Sequence, residues 1–121
     1  MFEKNYKIIY LLDFYGDILT EKQKDAIDLY YNEDLSLAEI ADHFGITRQG
    51  VRDSIKRGED ILLEMEEKLG LAARFNAQKE ALEKVAECTA AIRFSKTSMN
   101  YMRIVDEKVE AIDKAIKDLI G

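Results

Sequence analysis

The sequence contains no proline and no tryptophan, and it has one cysteine and one histidine among 121 residues. Without proline, helices run without a hard stop anywhere in the chain. A single cysteine excludes an internal disulfide, and one cysteine with one histidine leaves no ligand set for a metal. No apolar run approaches the roughly 18 residues of a membrane span, and Lys7 and Asp13 break any signal-peptide pattern. These absences predict a soluble protein of the reducing cytoplasm.

The residue sets that enzymes use are also missing. Carboxylates are plentiful, but none is paired on an apolar background as general acid–base chemistry requires. His43 has no nucleophile within its motif and is expected to be a half-buried helix residue rather than a ligand. Cys88 is expected to be a small core residue. The sequence therefore predicts a protein that is not an enzyme and has no catalytic residue, no metal and no cofactor.

The net charge is −6, which by itself argues against binding to the phosphates of nucleic acids. Residues 47–58, however, carry four basic side chains against one acidic side chain, a local excess of three positive charges. Exposed charges more than about 8 Å apart are largely screened at physiological salt, so one basic face can still meet DNA. By composition alone, an ordinary solvated helix face is an equally good interpretation.

Apolar residues recur at helical spacing along the whole chain, which predicts an all-α fold. A first helix carries the stripe Ile8–Tyr15 and ends at Gly16. Thr20 and Ser36 each open a capping box with the polar residue three positions on, and Gly45 separates two further helices. The helix after Thr47 spans residues 48–69, about 33 Å, so its far half is expected to reach beyond a small domain and pack elsewhere.

The C-terminal third has a different pattern. Two heptad-like runs of apolar residues, separated by the polar stretch 95–100, predict either two helices meeting as a hairpin or one long irregular helix. Their repeating positions are Leu82, Val85, Thr89, Ile92, Lys96 and Met99, then Met102, Val105, Val109, Ile112, Ile116 and Leu119. These runs either close an internal hairpin or form a dimer interface. We expect residues 1–70 to form one domain, residues 71–121 a helical extension, and a homodimer through the C-terminal helices and the end of the long helix.

The segment SLAEIADHFGITRQGVRDSIKRGEDIL, from Ser36 to Leu62, has the steric requirements of a helix-turn-helix. Ala41 is a small residue where two helices would cross, and Gly45 tolerates the positive φ of a sharp turn. The second helix must begin with polar residues that face DNA. The apolar residues that would lock the pair are Ile40, Ile46, Val51 and Ile55. The pattern therefore predicts a recognition helix that begins after Thr47.

The segment LTEKQKDAIDLYYNEDLSLAEIADHFGITRQGVRDSIKRGEDIL resembles the fourth conserved region of sigma-70-type factors. Residues 2–75 more closely resemble the YlxM-type proteins, small helix-turn-helix proteins whose genes tend to lie beside those of the signal recognition particle GTPases. This resemblance implies a DNA-binding regulatory protein, with a role in that pathway inferred from gene proximity. The chain lacks the other regions that a sigma factor needs to open promoter DNA.

The resemblance also implies roles for individual residues. The hydroxyl of Thr47 and the first amides of its helix would take a phosphate. Arg48 would pair with guanine and Gln49 with adenine in the major groove. Lys56 and Arg57 would neutralise phosphates, which position the protein without specifying a sequence. The candidate DNA-binding residues are Thr47, Arg48, Gln49, Arg52, Lys56 and Arg57.

Three residues depart from the sigma pattern and support a second hypothesis. Gly50 and Gly58 weaken a helix, and Asp53 would oppose phosphate if it pointed outward. A protein- or RNA-interaction module of the signal recognition particle pathway, with the helix-turn-helix as scaffold, is therefore the alternative to duplex DNA binding. Aromatic residues at positions 6–31 would suit stacking on bases, but their helical spacing favours core packing with polar tips.

Overall fold

The computed structural model describes residues 4–120, which contain six α-helices, one short 3₁₀ helix and no strand. The all-α fold expected from the sequence is confirmed. The helices are α1 (Lys7–Tyr15), α2 (Glu21–Tyr31), α3 (Leu37–Phe44), α4 (Arg48–Leu69), α5 (Leu71–Phe94) and α6 (Tyr101–Ile120), with the 3₁₀ helix at Gly16–Ile18. The chain divides into two compact units, residues 1–72 and residues 73–121.

The first unit is a four-helix core in which α4 packs on each of α1, α2 and α3. Its fully buried side chains come from all four helices, so one apolar cluster joins them. Both predicted capping boxes are present. The amide of Gln23 donates to the Thr20 hydroxyl at 3.2 Å, and the amide of Glu39 donates to the Ser36 hydroxyl at 3.1 Å. These caps set where α2 and α3 begin.

The far half of α4 does not reach beyond this unit, which corrects the expectation from its length. Leu62 is fully buried, and Met65 packs against the same core. The Tyr15 hydroxyl donates to the Glu66 carboxylate at 2.7 Å and accepts from the Leu71 amide at 3.0 Å. The N-terminal helix α1 therefore packs on the far half of α4.

The second unit, residues 73–121, contains most of α5 and all of α6. A groove of about 360 Å³ is lined by residues 77–84 of α5 and residues 111–119 of α6. The start of α5 therefore lies beside the end of α6, and the two helices form an antiparallel hairpin that reverses over residues 95–100. Of the two alternatives left open by the sequence, the hairpin is the one observed.

The hairpin interior uses part of the predicted apolar seam. Val85 and Ile92 are half-buried, as predicted. Ala81 and Cys88 are protected in place of their predicted neighbours, and Ala115 is the buried residue of α6. Leu82 and Met99 belong to the predicted seam, yet they are 64% and 103% exposed.

Candidate nucleic-acid interface

The turn between α3 and α4 has the conformation that the sequence predicts. Gly45 has φ 68°, in the left-handed region, where a residue with a Cβ is disfavoured. The amides of Gly45 and Ile46 both donate to the Ala41 carbonyl, the latter at 3.1 Å. These bonds satisfy the end of α3 and direct the chain into α4 at a sharp angle.

Thr47 caps α4, as expected. Its hydroxyl accepts a hydrogen bond at 3.0 Å from the amide of Gly50. A Cβ at position 50 would lie 3.2 Å from the same hydroxyl oxygen, so the glycine leaves room for the cap. Gly50 weakens the helix, but it leaves space for the Thr47 cap at the beginning of the recognition helix.

The inner face of α4 is locked in the core. Val51, Ile55 and Leu62 are fully buried. A Cβ at Gly58 would lie 2.6 Å from the Cδ1 atom of Ile27, closer than a carbon contact allows. Gly58 therefore permits the close approach of α4 to α2, and this packing fixes which face of α4 meets solvent.

All six predicted contact residues are exposed: Thr47, Arg48, Gln49, Arg52, Lys56 and Arg57. Within the described residues 4–120, the Arg48 guanidinium takes part in no hydrogen bond or ion pair, and it lies in the first turn directly after the cap. By helix periodicity Arg48, Gln49, Arg52 and Lys56 lie within an arc of about 100°. Arg57 lies about two and a half turns from Arg48 and on the other side of the helix, facing the groove beside α2. A role for these residues in binding DNA stays a prediction.

Two of the six candidate side chains already interact with acidic residues of the same helix. The Gln49 amide nitrogen donates to the Asp53 carboxylate at 2.9 Å, and Lys56 pairs with Asp60 at 3.2 Å. Asp53 points outward, so its carboxylate would oppose a phosphate at this surface. Both pairs are exposed and therefore weak. Gln49 and Lys56 must nevertheless exchange these partners before they contact another molecule.

A groove of about 370 Å³ lies beside this surface, and it is lined in part by residues of α2 that were not among the candidates. Its walls combine Lys22 and the capping residues of α2 with Asp53, Ser54 and Arg57 of α4, so two basic side chains and one acidic side chain line it. Lys22 lies 35 positions before Arg57 in the sequence, so periodicity could not associate the two. The signal was the capping box at Thr20, which places Lys22 in the first turn of α2.

Behind the outer face lies a buried polar pair that the sequence did not indicate. The Tyr31 hydroxyl donates to the Glu59 carboxylate at 2.7 Å and accepts from the Asn5 amide at 3.0 Å. Burial raises the pKa of the Glu59 carboxyl, while the hydrogen bond from Tyr31 lowers it in part. Burial likewise raises the pKa of the Tyr31 hydroxyl. This pair ties α4 to α2 and to the segment that precedes α1.

The aromatic residues do not form a stacking platform. Tyr15, Tyr30 and Tyr31 are buried at 2%, 8% and 5% exposure, with hydroxyls that reach polar partners in the case of Tyr15 and Tyr31. Core packing with polar tips is therefore the correct interpretation. Tyr6 is the exception at 66% exposure, and its ring meets that of Tyr31 edge-on.

The prediction that Cys88 is buried is confirmed, whereas the prediction that His43 is half-buried is wrong. Cys88 is buried in the hairpin, as predicted. His43 is exposed rather than half-buried, because it lies on the outer side of the short helix α3. Across residues 4–120, no three histidine, cysteine or acidic side chains are grouped to hold a metal ion. In the same range, no helix is both long enough and apolar enough to cross a membrane.

Two capped helices joined by a left-handed glycine, with the second exposing a basic first turn, define a helix-turn-helix protein. The sequence profile of a family described as "Putative helix-turn-helix protein, YlxM / p13 like" matches residues 2–102. The chain belongs to this family, UPF0122. The match extends into α6 and so beyond the roughly residues 2–75 where the motif resemblance was seen. The family is described by its helix-turn-helix and not by a catalytic activity.

Relatives from several bacteria are similar over most of their length. A UPF0122 protein of Acetivibrio thermocellus is 45% identical over 113 residues, which is 91% of this chain and 97% of the relative. A UPF0122 protein of Halalkalibacterium halodurans is 43% identical over 106 residues, 88% of this chain and 94% of the relative. One of Bacillus pumilus is 49% identical over 88 residues, covering 73% and 80%. The C-terminal hairpin is thus included in the similarity.

Proposed function

We propose that this protein is a DNA-binding regulator that docks the first turns of α4 in the major groove of duplex DNA. The observation that carries the proposal is the exposed Arg48, which lies in the first turn after the cap, just before Val51 and Ile55 lock α4 in the core. An α-helix fits the major groove, and a bidentate arginine contact with guanine discriminates by about 1–3 kcal/mol. The geometry thus presents a base-reading group on a rigid support.

The other residues have roles that follow from their positions. Gln49 and Arg52 lie on the same outer surface as Arg48 and are proposed to read base edges. Thr47 at the helix N-terminus suits a phosphate oxygen, as do Arg57 and Lys22 around the groove between α2 and α4. Because the whole chain carries −6, non-specific binding is expected to be weak and to fall steeply with salt.

The test is fluorescence anisotropy with labelled fragments of the source genome at low salt. The wild type is expected to select a subset of fragments, and Arg48→Ala is expected to weaken that binding by about tenfold or more. Arg103→Ala is the matched control, since it removes the same charge from an exposed arginine on α6. If no fragment changes the anisotropy, or if both variants lose binding equally, the proposed surface is wrong.

One observation supports the second candidate, a protein- or RNA-interaction module of the signal recognition particle pathway. Gln49 and Lys56 are already paired with acidic residues of α4, which leaves fewer groups for reading bases. Affinity capture of the tagged protein, followed by sequencing of bound DNA and RNA, separates the two candidates. Recovery of the particle's RNA or its GTPase, unchanged in an Arg48/Arg52 double alanine variant, would favour this alternative.

A further inference from the structure

The exposed apolar side chains of this protein are concentrated in its C-terminal hairpin. Of the thirteen large apolar side chains that are exposed in residues 4–120, nine lie beyond residue 72. Four of them within the helices are Leu82 at 64%, Met102 at 71%, Val109 at 44% and Ile116 at 43%. Single exposed apolar residues are ordinary, but a contiguous set of them marks an interaction surface.

Helix periodicity places these four side chains on one side of the hairpin. Leu82 follows the seam residue Ala81 by one position, and Met102, Val109 and Ile116 each follow a protected residue of α6 by one position. One residue is a rotation of 100° on an α-helix. In two antiparallel helices, equal rotations away from a shared seam point to the same side. The four residues therefore form a continuous apolar face, which we call the outer hairpin face.

The charges on the outer hairpin face are divided between the two helices. Periodicity places Lys79 and Arg93 within about 60° of Leu82 on the α5 half, with Glu83 at its edge, and it places Asp106 and Asp113 within about 60° of Val109 on the α6 half. All four of these lysine, arginine and aspartate side chains are exposed, and none takes part in an ion pair within the described part of the chain. One half is basic and the other acidic, so the face is complementary to itself when α5 meets α6 of another copy.

We propose that the outer hairpin face binds the same face of a second copy of this chain, with α5 of each copy against α6 of the other. The result is a four-helix bundle with an isologous interface. The groove between the helices places residues 77–84 level with residues 111–119. With the two hairpins side by side in the same direction, Lys79 lies about one helical turn from the level of Asp113 of the second copy, and Arg93 at the hairpin tip lies about one turn from the level of Asp106.

The area of the outer hairpin face is large enough for a second copy of this chain to bind there. Two helices, each about 10 Å wide and about 25 Å long, present on the order of 500 Å². Burying that face on both copies removes about 1,000 Å² of surface, the lower end of specific interfaces. A two-helix hairpin whose buried residues are small has little core of its own, so a second hairpin supplies the missing apolar layer. The inference is independent of DNA binding, because it rests on the hairpin alone.

The proposed interface contains fewer helices than the dimer interface that the sequence predicted. The sequence predicted that the end of the long helix would join the C-terminal helices in the interface. Leu62 and Met65 instead belong to the core of the first unit. The outer hairpin face therefore excludes the end of α4 and consists of residues of α5 and α6.

The test is the oligomeric state of the full chain by sedimentation equilibrium. The wild type is expected at twice the chain mass of 13.9 kDa. Leu82→Glu and Val109→Glu are each expected to weaken the dimer about 30-fold or more, as loss of a central apolar anchor does. Phe94→Glu is the matched control, since it replaces another exposed apolar residue of α5 by glutamate, at about 120° from Leu82 and away from the seam. Circular dichroism checks that each variant keeps its helices.

The arrangement of the two copies is tested by exchanging charges. Lys79→Glu and Asp113→Lys are each expected to weaken the dimer by a few fold, and the double variant is expected to restore it. A chain that stays monomeric at every concentration overturns the proposal. A dimer that survives Leu82→Glu and Val109→Glu also overturns it, because another surface must then hold the copies together.

Discussion

The hydroxyl of Tyr31 on α2 donates to the carboxylate of Glu59 on α4 at 2.7 Å, about three turns along α4 from Arg48. Glu59 is 7% exposed and Tyr31 is 5% exposed. A buried carboxylate requires such a donor because water cannot reach it freely. Since the same hydroxyl also accepts from the Asn5 amide, one side chain connects the recognition helix to two other parts of the first unit.

Tyr31→Phe is expected to lower the free energy of unfolding by about 1–3 kcal/mol, because it leaves the buried Glu59 without its donor. Chemical denaturation with urea measures the change. Tyr6→Phe is the control, since the Tyr6 ring is mostly exposed and its variant should match the wild type. Equal stability of Tyr31→Phe and the wild type would show that the pair does not support the fold.

Glu59→Gln is expected to stabilise the protein increasingly as pH rises above the ordinary glutamate pKa of 4.5. Burial raises the folded-state pKa of this carboxyl, so the native state retains a proton that the unfolded chain releases. Stability of the wild type therefore falls over that range, whereas glutamine does not titrate.

Urea unfolding of both proteins at about pH 4 and about pH 7 measures this difference. The Lys4 ammonium holds the pKa of the Asp34 carboxyl below its ordinary value of 3.8. Asp34 therefore titrates below this pH range. A difference between wild type and variant that is constant with pH would mean that Glu59 is ionised in the folded protein at its ordinary pKa.

Gly58→Ala is expected to lower stability by up to about 2 kcal/mol, because overpacking a core costs about 1–3 kcal/mol and better helix propensity returns about 1 kcal/mol. The new Cβ would lie 2.6 Å from Ile27 Cδ1. Ile27→Val removes that atom, so the double variant should recover part of the loss in a thermodynamic cycle. If Gly58→Ala is more stable than the wild type, the close approach of α4 to α2 does not depend on glycine.

Asp53→Asn is expected to raise DNA affinity about two- to fivefold at low salt, since it removes an exposed charge of the wrong sign and loosens the hold on Gln49. The Gln49 amide now donates to that carboxylate at 2.9 Å. Anisotropy titration measures the change. Asp13→Asn on α1 removes an exposed carboxylate elsewhere and serves as the control. An equal gain in both variants would indicate a net-charge effect without a local one.

Lys22→Ala is expected to reduce the slope of log affinity against log salt by about 0.9, the effect of one lost phosphate contact. Lys22 lines the groove beside Arg57. Lys68→Ala, on the far half of α4 where Lys68 pairs with Glu64, should leave the slope unchanged. Should the two variants give the same slope, the groove does not belong to the DNA surface.

Local features of the first unit could be predicted because neighbouring residues decide them. The caps at Thr20, Ser36 and Thr47 depend on a hydroxyl and an amide three residues apart. The left-handed turn at Gly45 depends on one residue that lacks a Cβ. The bounds of α4 follow from the Thr47 cap and from Gly70, which again has a positive φ of 63°.

Packing between distant segments was decided only by the tertiary structure. The sequence by itself determined an all-α chain, a helix-turn-helix at residues 36–62 and a basic outer surface on α4, because each depends on spacing within a few turns. It did not determine that α1 packs on the far half of α4, that Tyr31 meets Glu59, or that Leu82 and Val109 lie outside the hairpin interior while Val85 and Ile92 lie within it. Those outcomes depend on which side chains let two helices approach most closely, and that choice is made in three dimensions.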